Sequence, residues 1–320
     1  MRAIVLEDVG WLVERDVPDP VPGPGEVLVE VGACGVCRTD LQIFSGDLSL
    51  RRRPVVLGHQ VAGRIAGTGE RVGVAWLHAA DGTCSACRRG LENLCPNAVF
   101  TGWTADGGYA ELVRARRDFV FPLPRGFTDV EAAPLLCAGI IGYRSLRLAG
   151  AEAGGRLGLF GFGSSAHLAI QVALHWGCEV AVFTRSLTER ALALRLGAAW
   201  AGGYDDEAPW PLDAAVTFAP VGSVVVAALT ALAPGATVAV NAIHLDGMPA
   251  FDYDLLWQER AIRSVANFTR ADASEFLALA AEIPIGAQVQ EFPLAAAGQA
   301  LETLAGGGIS GSAVLLVDPA

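Results

Sequence analysis

The sequence predicts a two-domain α/β chain, a β-rich domain joined to a doubly wound parallel sheet. Three observations carry this. At 320 residues the chain is longer than one core usually serves. Up to about residue 125, short strands alternate with Gly/Pro punctuation. From about Ala132, apolar strands alternate with amphipathic helices, the pattern of a parallel sheet covered on both faces.

The first domain reads as the strands "RAIVLE", "EVLVEVGAC", "QVAGRIAG", "RVGVAW" and "YAELVRA", with "CRTDLQIF" as a short helix among them. A helix in "EAAPLLCAGIIGYRSLRLAG" ends at Gly150. Then "RLGLF" leads into "SSAHLAIQVALHWG", "EVAVFT" into "LTERALALRLG", and "LDAAVTF" into "VGSVVVAALTALAPG". "ATVAVNAI", "LLWQE", "RAIRSVAN" and "DASEFLALAAE" follow. The closing elements "QVQEFP", "LAAAGQALETLAGG" and "SAVLLVD" are too few for a domain and are expected to complete the first one. The expected division is therefore 1–140 with 283–320, and 141–282 between them.

Composition narrows the function. Apolar residues make up 52% and charged ones 18%, which suits large cores and not disorder. A net charge of −11 argues against nucleic acid or an anionic membrane as partner, since either needs a basic face. All 23 basic residues are arginine. Without lysine there is no Walker-type phosphate loop, no Schiff base and no catalytic Tyr-Lys pair. "MRAIVLEDVG" lacks an apolar core for a signal peptide, and the longest apolar run, broken by Pro134, is too short to span a bilayer. A cytoplasmic protein is expected, in which clustered cysteines suggest metal or catalysis before disulfides.

"RLGLFGFGSSAHLA" sets Gly161, Gly163 and Ala166 in the pattern G-x-G-x-x-A, directly after a strand and opening a helix. Gly161 permits the tight turn, Gly163 lets a pyrophosphate approach the backbone, and Ala166 allows close helix packing. At the end of the next strand, where an NAD site usually carries an acid, stand Thr184, Arg185 and Ser186. A guanidinium flanked by hydroxyls suits a phosphate dianion, so NADP(H) is the expected cofactor, with NAD(H) the alternative if Arg185 only stacks on adenine.

"GACGVCRTD", "VVLGHQVAG" and "APLLCAG" contribute Cys37, His59 and Cys137, residue types suited to a catalytic zinc with three protein ligands. Spacing alone does not join them. Separately, "HAADGTCSACRRGLENLC" (residues 78–95) crowds Cys84, Cys87 and Cys95 together, a metal lobe one ligand short.

"GVCRTDLQ", "LGHQVAGR", "CSACRRGLENLC", "DGGYAEL", "LLCAG" and "GFGSSAHLA" lie in the order found in zinc-dependent medium-chain alcohol dehydrogenases, which this sequence resembles almost end to end. The resemblance implies a GroES-like catalytic domain from both chain ends, a Rossmann domain between them, and an active-site zinc on Cys37, His59 and Cys137. Two thiolates cancel the ion's charge and leave a Lewis acid able to lower an alcohol's pKa. The resemblance further assigns Thr39 as proton acceptor from the substrate hydroxyl, Asp40 as the carboxylate orienting the histidine, and Arg38 as a contact to the cofactor pyrophosphate.

The chain departs from the family at three positions. Gln42 stands where the family usually has a proton-relay histidine and Gln60 where it has a glutamate beside the zinc, so slower alcohol oxidation near neutral pH and a steeper pH dependence are expected. In the lobe, Asp81 takes the place of the first of four cysteines. A carboxylate can bind zinc at about the distance of an imidazole nitrogen, so Asp81 is the expected fourth ligand of a second, structural zinc, with His78 the other candidate. Cys34 and Cys178 read as packing residues. Phe44, Trp76 and Trp103 would give an apolar pocket for a primary or secondary alcohol or aldehyde, and the family suggests a homodimer or homotetramer. The rival readings are a zinc-free quinone or enoyl reductase of the same superfamily and a catalytically impaired cofactor-binding homologue.

Overall fold

A computed structural model describes residues 1–317. By its internal contacts the chain divides into two compact units, Met1–Ile140 with Asn267–Ala320, and Ile141–Ala266.

In the first unit the long strand Glu26–Val36 is the organiser. It pairs antiparallel with Val61–Ile65, Leu112–Arg116 and Ser312–Leu316. Seven strands form this sheet, with Arg71–Val74 and Val120–Pro122 continuing one side and Val289–Pro293 closing the other. Its apolar residues Val29, Val31, Ala33, Cys34 and Val36 are buried. The C-terminal strand completes the first domain, Leu315 lying opposite Cys34. The last residue of the expected strand "SAVLLVD", Asp318, lies outside the described residues. A second sheet joins Arg2–Asp8 to Trp11–Asp16 and Val55–Val56. Cys34, fully buried, and Cys178, whose Sγ donates to the Glu152 carbonyl at 3.3 Å, are packing residues as expected.

The second unit holds six parallel strands in the order 200–202, 179–183, 156–160, 212–217, 232–240 and 261–264. This is a Rossmann sheet. Arg156–Phe160 pairs with Glu179–Phe183 on one side and Leu212–Thr217 on the other, so the chain order reverses at its C-terminal end, the usual ligand crevice of such sheets. Phe160 and Phe183 stack in parallel at 4.1 Å, and Trp200 tilts against Phe183 at 4.9 Å.

The return to the first unit corrects the expected boundary. It falls at Asn267, not at residue 283. Helix Arg270–Glu282 follows a strand and therefore reads as another step of the parallel sheet, but its contacts are with the first unit. Arg270 donates from its backbone N–H (3.0 Å) and its Nε (3.1 Å) to the Glu92 carboxylate. Phe276, fully buried, fills the space beside Gly139 so closely that a Cβ there would overlap its ring.

Phe183→Ala removes one ring of the buried stack and should cost about 3–5 kcal/mol of stability. Denaturant unfolding followed by circular dichroism checks this; a loss below about 1 kcal/mol would mean that the stack contributes little beyond what its neighbours refill.

Candidate active site

Helix Arg38–Ser45 begins with a reciprocal cap. The Cys37 Sγ accepts from the Thr39 N–H at 3.3 Å, and the Asp40 Oδ2 accepts from the Cys37 N–H at 2.9 Å. Gly46, at φ 85°, ends the helix in the left-handed conformation that favours glycine. The cap sets a sulfur at a helix N-terminus, where the backbone dipoles favour an anion.

Asp40 is fully buried, and its other oxygen, Oδ1, accepts from the Gly58 N–H and faces His59 Nδ1, each at 3.2 Å. With Nδ1 engaged, the imidazole turns Nε2 toward the sulfurs, 3.2 Å from Cys37 Sγ. Cys137, between the short helix Ala133–Leu136 and helix Ala138–Ala149, supplies the third group. The donor atoms of Cys37, His59 and Cys137 all lie within 4.8 Å of one another. Three segments far apart in sequence thus converge.

The electrostatics fit a shared anionic centre. The Cys37 thiol is held well below its ordinary range, chiefly by the Cys137 thiol donating to it and then, against burial, by His59. Burial pushes His59 down, but the Asp40 charge and the Cys37 sulfur outweigh it and hold the imidazole well above its usual value. Such a cluster carries charge that a divalent cation would neutralise.

The remaining expected residues are placed as follows. Arg38 is exposed and Thr39 half-buried at the start of the same helix. Gln42 is buried, with its Oε1 lacking a hydrogen-bond partner. Gln60 is buried and packs against Gly35, where an added Cβ would come within 2.9 Å of its carboxamide carbon. Trp76 meets the His59 ring edge-on at 4.7 Å and stacks on Trp103 at 5.8 Å. Trp103 donates its indole N–H to the Ser49 carbonyl at 3.0 Å. Phe44 is half-buried and, among the described residues, makes no ring contact with either tryptophan. Phe100 does, at 5.3 Å from Trp76 and 5.6 Å from Trp103. It was not expected from the sequence, because its partner strand Leu77–Ala79 pairs it over only a few residues.

In the lobe, a donor oxygen of Asp81 and the sulfurs of Cys84, Cys87 and Cys95 lie within 4.8 Å of one another. His78 is outside this group, buried on strand Leu77–Ala79 with its Nδ1 unpartnered. Asp81 Oδ1 accepts from the N–H groups of Thr83 (2.8 Å) and Cys84 (2.9 Å), and Oδ2 from Asn97 Nδ2 (2.9 Å). These bonds, Cys84 N–H foremost, hold the carboxyl below its usual range. Asn97 is a further residue that spacing did not reveal.

At the dinucleotide motif, Gly161 has φ 89°, and a Cβ there would come within 2.9 Å of the Ala219 nitrogen. Gly163 caps helix Ser164–His175 with open space where its Cβ would be, and Ala166 is fully buried. At the end of strand Glu179–Phe183, Arg185 is exposed, but the neighbouring hydroxyls are not both free as expected. Thr184 is buried and donates to the Glu189 carboxylate, while Ser186 Oγ accepts from the Glu189 N–H at 3.2 Å. The cause is a helix cap, legible in "SLTE" as the S-x-x-E pattern. Arg190 stands at the same strand end, its Nε donating to the Thr184 carbonyl at 2.8 Å.

Residues 23–125 match the family model of the alcohol dehydrogenase GroES-like domain. The chain is 50% identical to the probable alcohol dehydrogenase AdhA of Mycobacterium tuberculosis over 325 residues, covering 97% of this chain and 94% of that one. Among solved structures, a cinnamyl alcohol dehydrogenase (SbCAD4) from Sorghum bicolor superposes with TM-score 0.91 at 27% identity, covering 98% of this chain and 96% of that one. The acetophenone reductase of Geotrichum candidum in complex with NAD superposes with TM-score 0.88 at 25% identity, covering 98% and 96%. Among the described residues no helix is long and apolar enough to cross a membrane. Two chain units, a converging sulfur–imidazole group and near-complete alignment with these relatives lead to one conclusion: the chain belongs to the medium-chain alcohol dehydrogenase family.

Proposed function

We propose that this enzyme is a zinc-dependent oxidoreductase that moves hydride between a primary or secondary alcohol or its carbonyl product and a nicotinamide cofactor, with NADP(H) preferred. The observation that carries this reading is the convergence of Cys37, His59 and Cys137 within 4.8 Å. Two sulfurs and one imidazole are a donor set zinc accepts, and they leave one of four tetrahedral positions for substrate. A zinc-free reductase has no use for such a set. When bound, the ion supplies the Lewis acidity that lowers an alcohol's pKa, and the nicotinamide supplies the redox chemistry.

The chain's own residues do the rest. Asp40 fixes the His59 tautomer so that Nε2 is the metal-facing nitrogen. Thr39, two residues beyond Cys37 on the same helix turn, accepts the substrate's hydroxyl proton in this reading. Gln42 cannot titrate, so the proton leaves through water or cofactor hydroxyls instead. Gln60, neutral where the family has a carboxylate, leaves the centre more electrophilic. Trp76, edge-on to His59 and stacked on Trp103, forms an apolar wall that favours an aliphatic or aromatic tail and excludes water.

For the cofactor, the open backbone at Gly163 suits a pyrophosphate at the helix N-terminus. With the Thr184 hydroxyl committed to Glu189, the preference for NADP(H) rests on Arg185, supported by Arg190 of the following helix, whose Nε donates to the Thr184 carbonyl. In the lobe, the Asp81 carboxylate completes a Cys3Asp structural zinc site, oriented by Asn97.

Cofactor choice is tested by kcat/KM with both nucleotides. NADP(H) should be favoured, and Arg185→Ala should lower kcat/KM for NADP(H) by about 10–100-fold while sparing NAD(H), the worth of a charge-assisted contact. A wild-type advantage for NAD(H) would overturn the preference.

The proton path is tested by Gln42→His. Oxidation near neutral pH should rise and the pH profile should flatten, because the new group titrates in that range. An unchanged profile would remove the relay argument.

Metal analysis should find two zinc ions per chain in the wild type and one in Asp81→Asn, which keeps the turn but loses the anionic ligand; Asp81→Cys should keep both. Cys87, pushed up to about 12 by desolvation, must give up its proton to bind, so the lobe should release its ion as pH falls. A single zinc in the wild type would contradict the Cys3Asp site.

A further inference from the structure

Residues 51–53 are all arginine, and two of the three are committed to acids. Arg52 pairs with Asp106 at 2.9 Å and Arg53 with Asp8 at 3.1 Å. Arg51 has no carboxylate partner among the described residues. Its guanidinium lies instead over the Trp103 ring, 4.9 Å from the centroid. An arginine seated on an indole face is held in place while its fork of N–H donors stays available.

Trp103 is the second indole of the wall beside the metal ligands. The ring contacts run in one series, His59 to Trp76 at 4.7 Å, Trp76 to Trp103 at 5.8 Å, then Trp103 to Arg51. Exposure rises along the same series, from 1% at His59 through 5% and 8% at the two indoles to the exposed Arg51. The series therefore leads outward from the metal ligands to the surface and ends in a cation. The 3.0 Å bond from the Trp103 indole to the Ser49 carbonyl ties the arginine-bearing loop to the wall.

In a chain of net charge −11, an arginine left unneutralised at the end of a substrate wall is a local exception. A purely apolar tail gains nothing from it. A carboxylate does, because its two oxygens match the guanidinium fork.

We infer that Arg51 is a specificity-determining residue, and that the enzyme favours aryl alcohols or aldehydes bearing a carboxylate at the end remote from the reacting carbon. The reacting oxygen sits at the metal ligands, the aryl body lies along Trp76 and Trp103, and the carboxylate meets Arg51. Arg51 takes no part in moving hydride or proton. The inference rests on the reading that Cys37, His59 and Cys137 form the catalytic centre, and it names the substrate class of that site.

The test compares two alcohols on the full-length enzyme with its nicotinamide cofactor. One is a biphenyl with hydroxymethyl on one ring and carboxylate at the far end of the other; the second is its methyl ester. The acid should be favoured in kcat/KM by about tenfold, the worth of one charge-assisted contact on an exposed group, and the advantage should shrink as salt rises. Arg51→Gln should abolish the preference and Arg51→Glu should invert it. Arg53→Gln removes the same charge from an arginine that already has a partner, and should keep the preference. Calorimetric titration with biphenyl dicarboxylate and its half methyl ester reads the same contact without turnover. The dicarboxylate should bind about tenfold tighter to the wild type and no tighter to Arg51→Gln.

Equal kcat/KM for acid and ester in the wild type overturns the inference, as does a preference that survives Arg51→Gln. A preference lost equally in Arg53→Gln belongs to net charge and overturns it too. So does turnover of benzyl alcohol with neither biphenyl accepted, since the wall then holds no aryl body of that length. A wild type that oxidises none of the three alcohols would instead refute the underlying reading of the site.

Discussion

The Asp40 carboxylate is the constraint on which the site depends. One buried side chain starts a helix, by accepting from the Cys37 N–H, and orients a base, by holding His59 Nδ1. Its bond to the Gly58 N–H pins the loop that carries His59. Burying a carboxylate is costly, and burial does raise its pKa, with the neighbouring imidazole and backbone donors working in the opposite direction. The site tolerates this charge only because every side of it is engaged. Loss of the carboxylate would release the cap, the loop and the tautomer together.

The two cysteine groups solve different problems with similar atoms. The Cys37–His59–Cys137 group draws on three distant segments, so the fold must form before the ligands meet. The lobe is local, four residues between 81 and 95, and a turn closed by Asp81 supplies its geometry. The Asp81 carboxylate does two jobs there, accepting the turn's N–H groups through Oδ1 and placing a donor oxygen within 4.8 Å of the three sulfurs. A closed four-donor lobe leaves no room for substrate, whereas three donors do.

Much of this was legible in the sequence. Strand–glycine–helix spacing marked the dinucleotide loop, and the converging cysteines and histidine followed from motif order in a resembling family. Packing decided what was not legible. Helix Arg270–Glu282 reads like its predecessors, and only the Arg270–Glu92 contacts and the fit of Phe276 beside Gly139 assign it to the first unit. Phe100 in the aromatic wall and Asn97 in the lobe have no periodic signal, being brought in by turns. Thr184 is the opposite case, since the S-x-x-E cap that engages it was written in "SLTE" and outweighs the ligand role its position suggested.

The central claim is a metal ion held by two sulfurs and one imidazole. Anomalous diffraction at the zinc edge from crystals of the active enzyme tests it most directly. A peak is expected about 2.3 Å from the sulfurs of Cys37 and Cys137 and about 2.0–2.1 Å from His59 Nε2. An enzyme that oxidises alcohols with no peak at that position would contradict it.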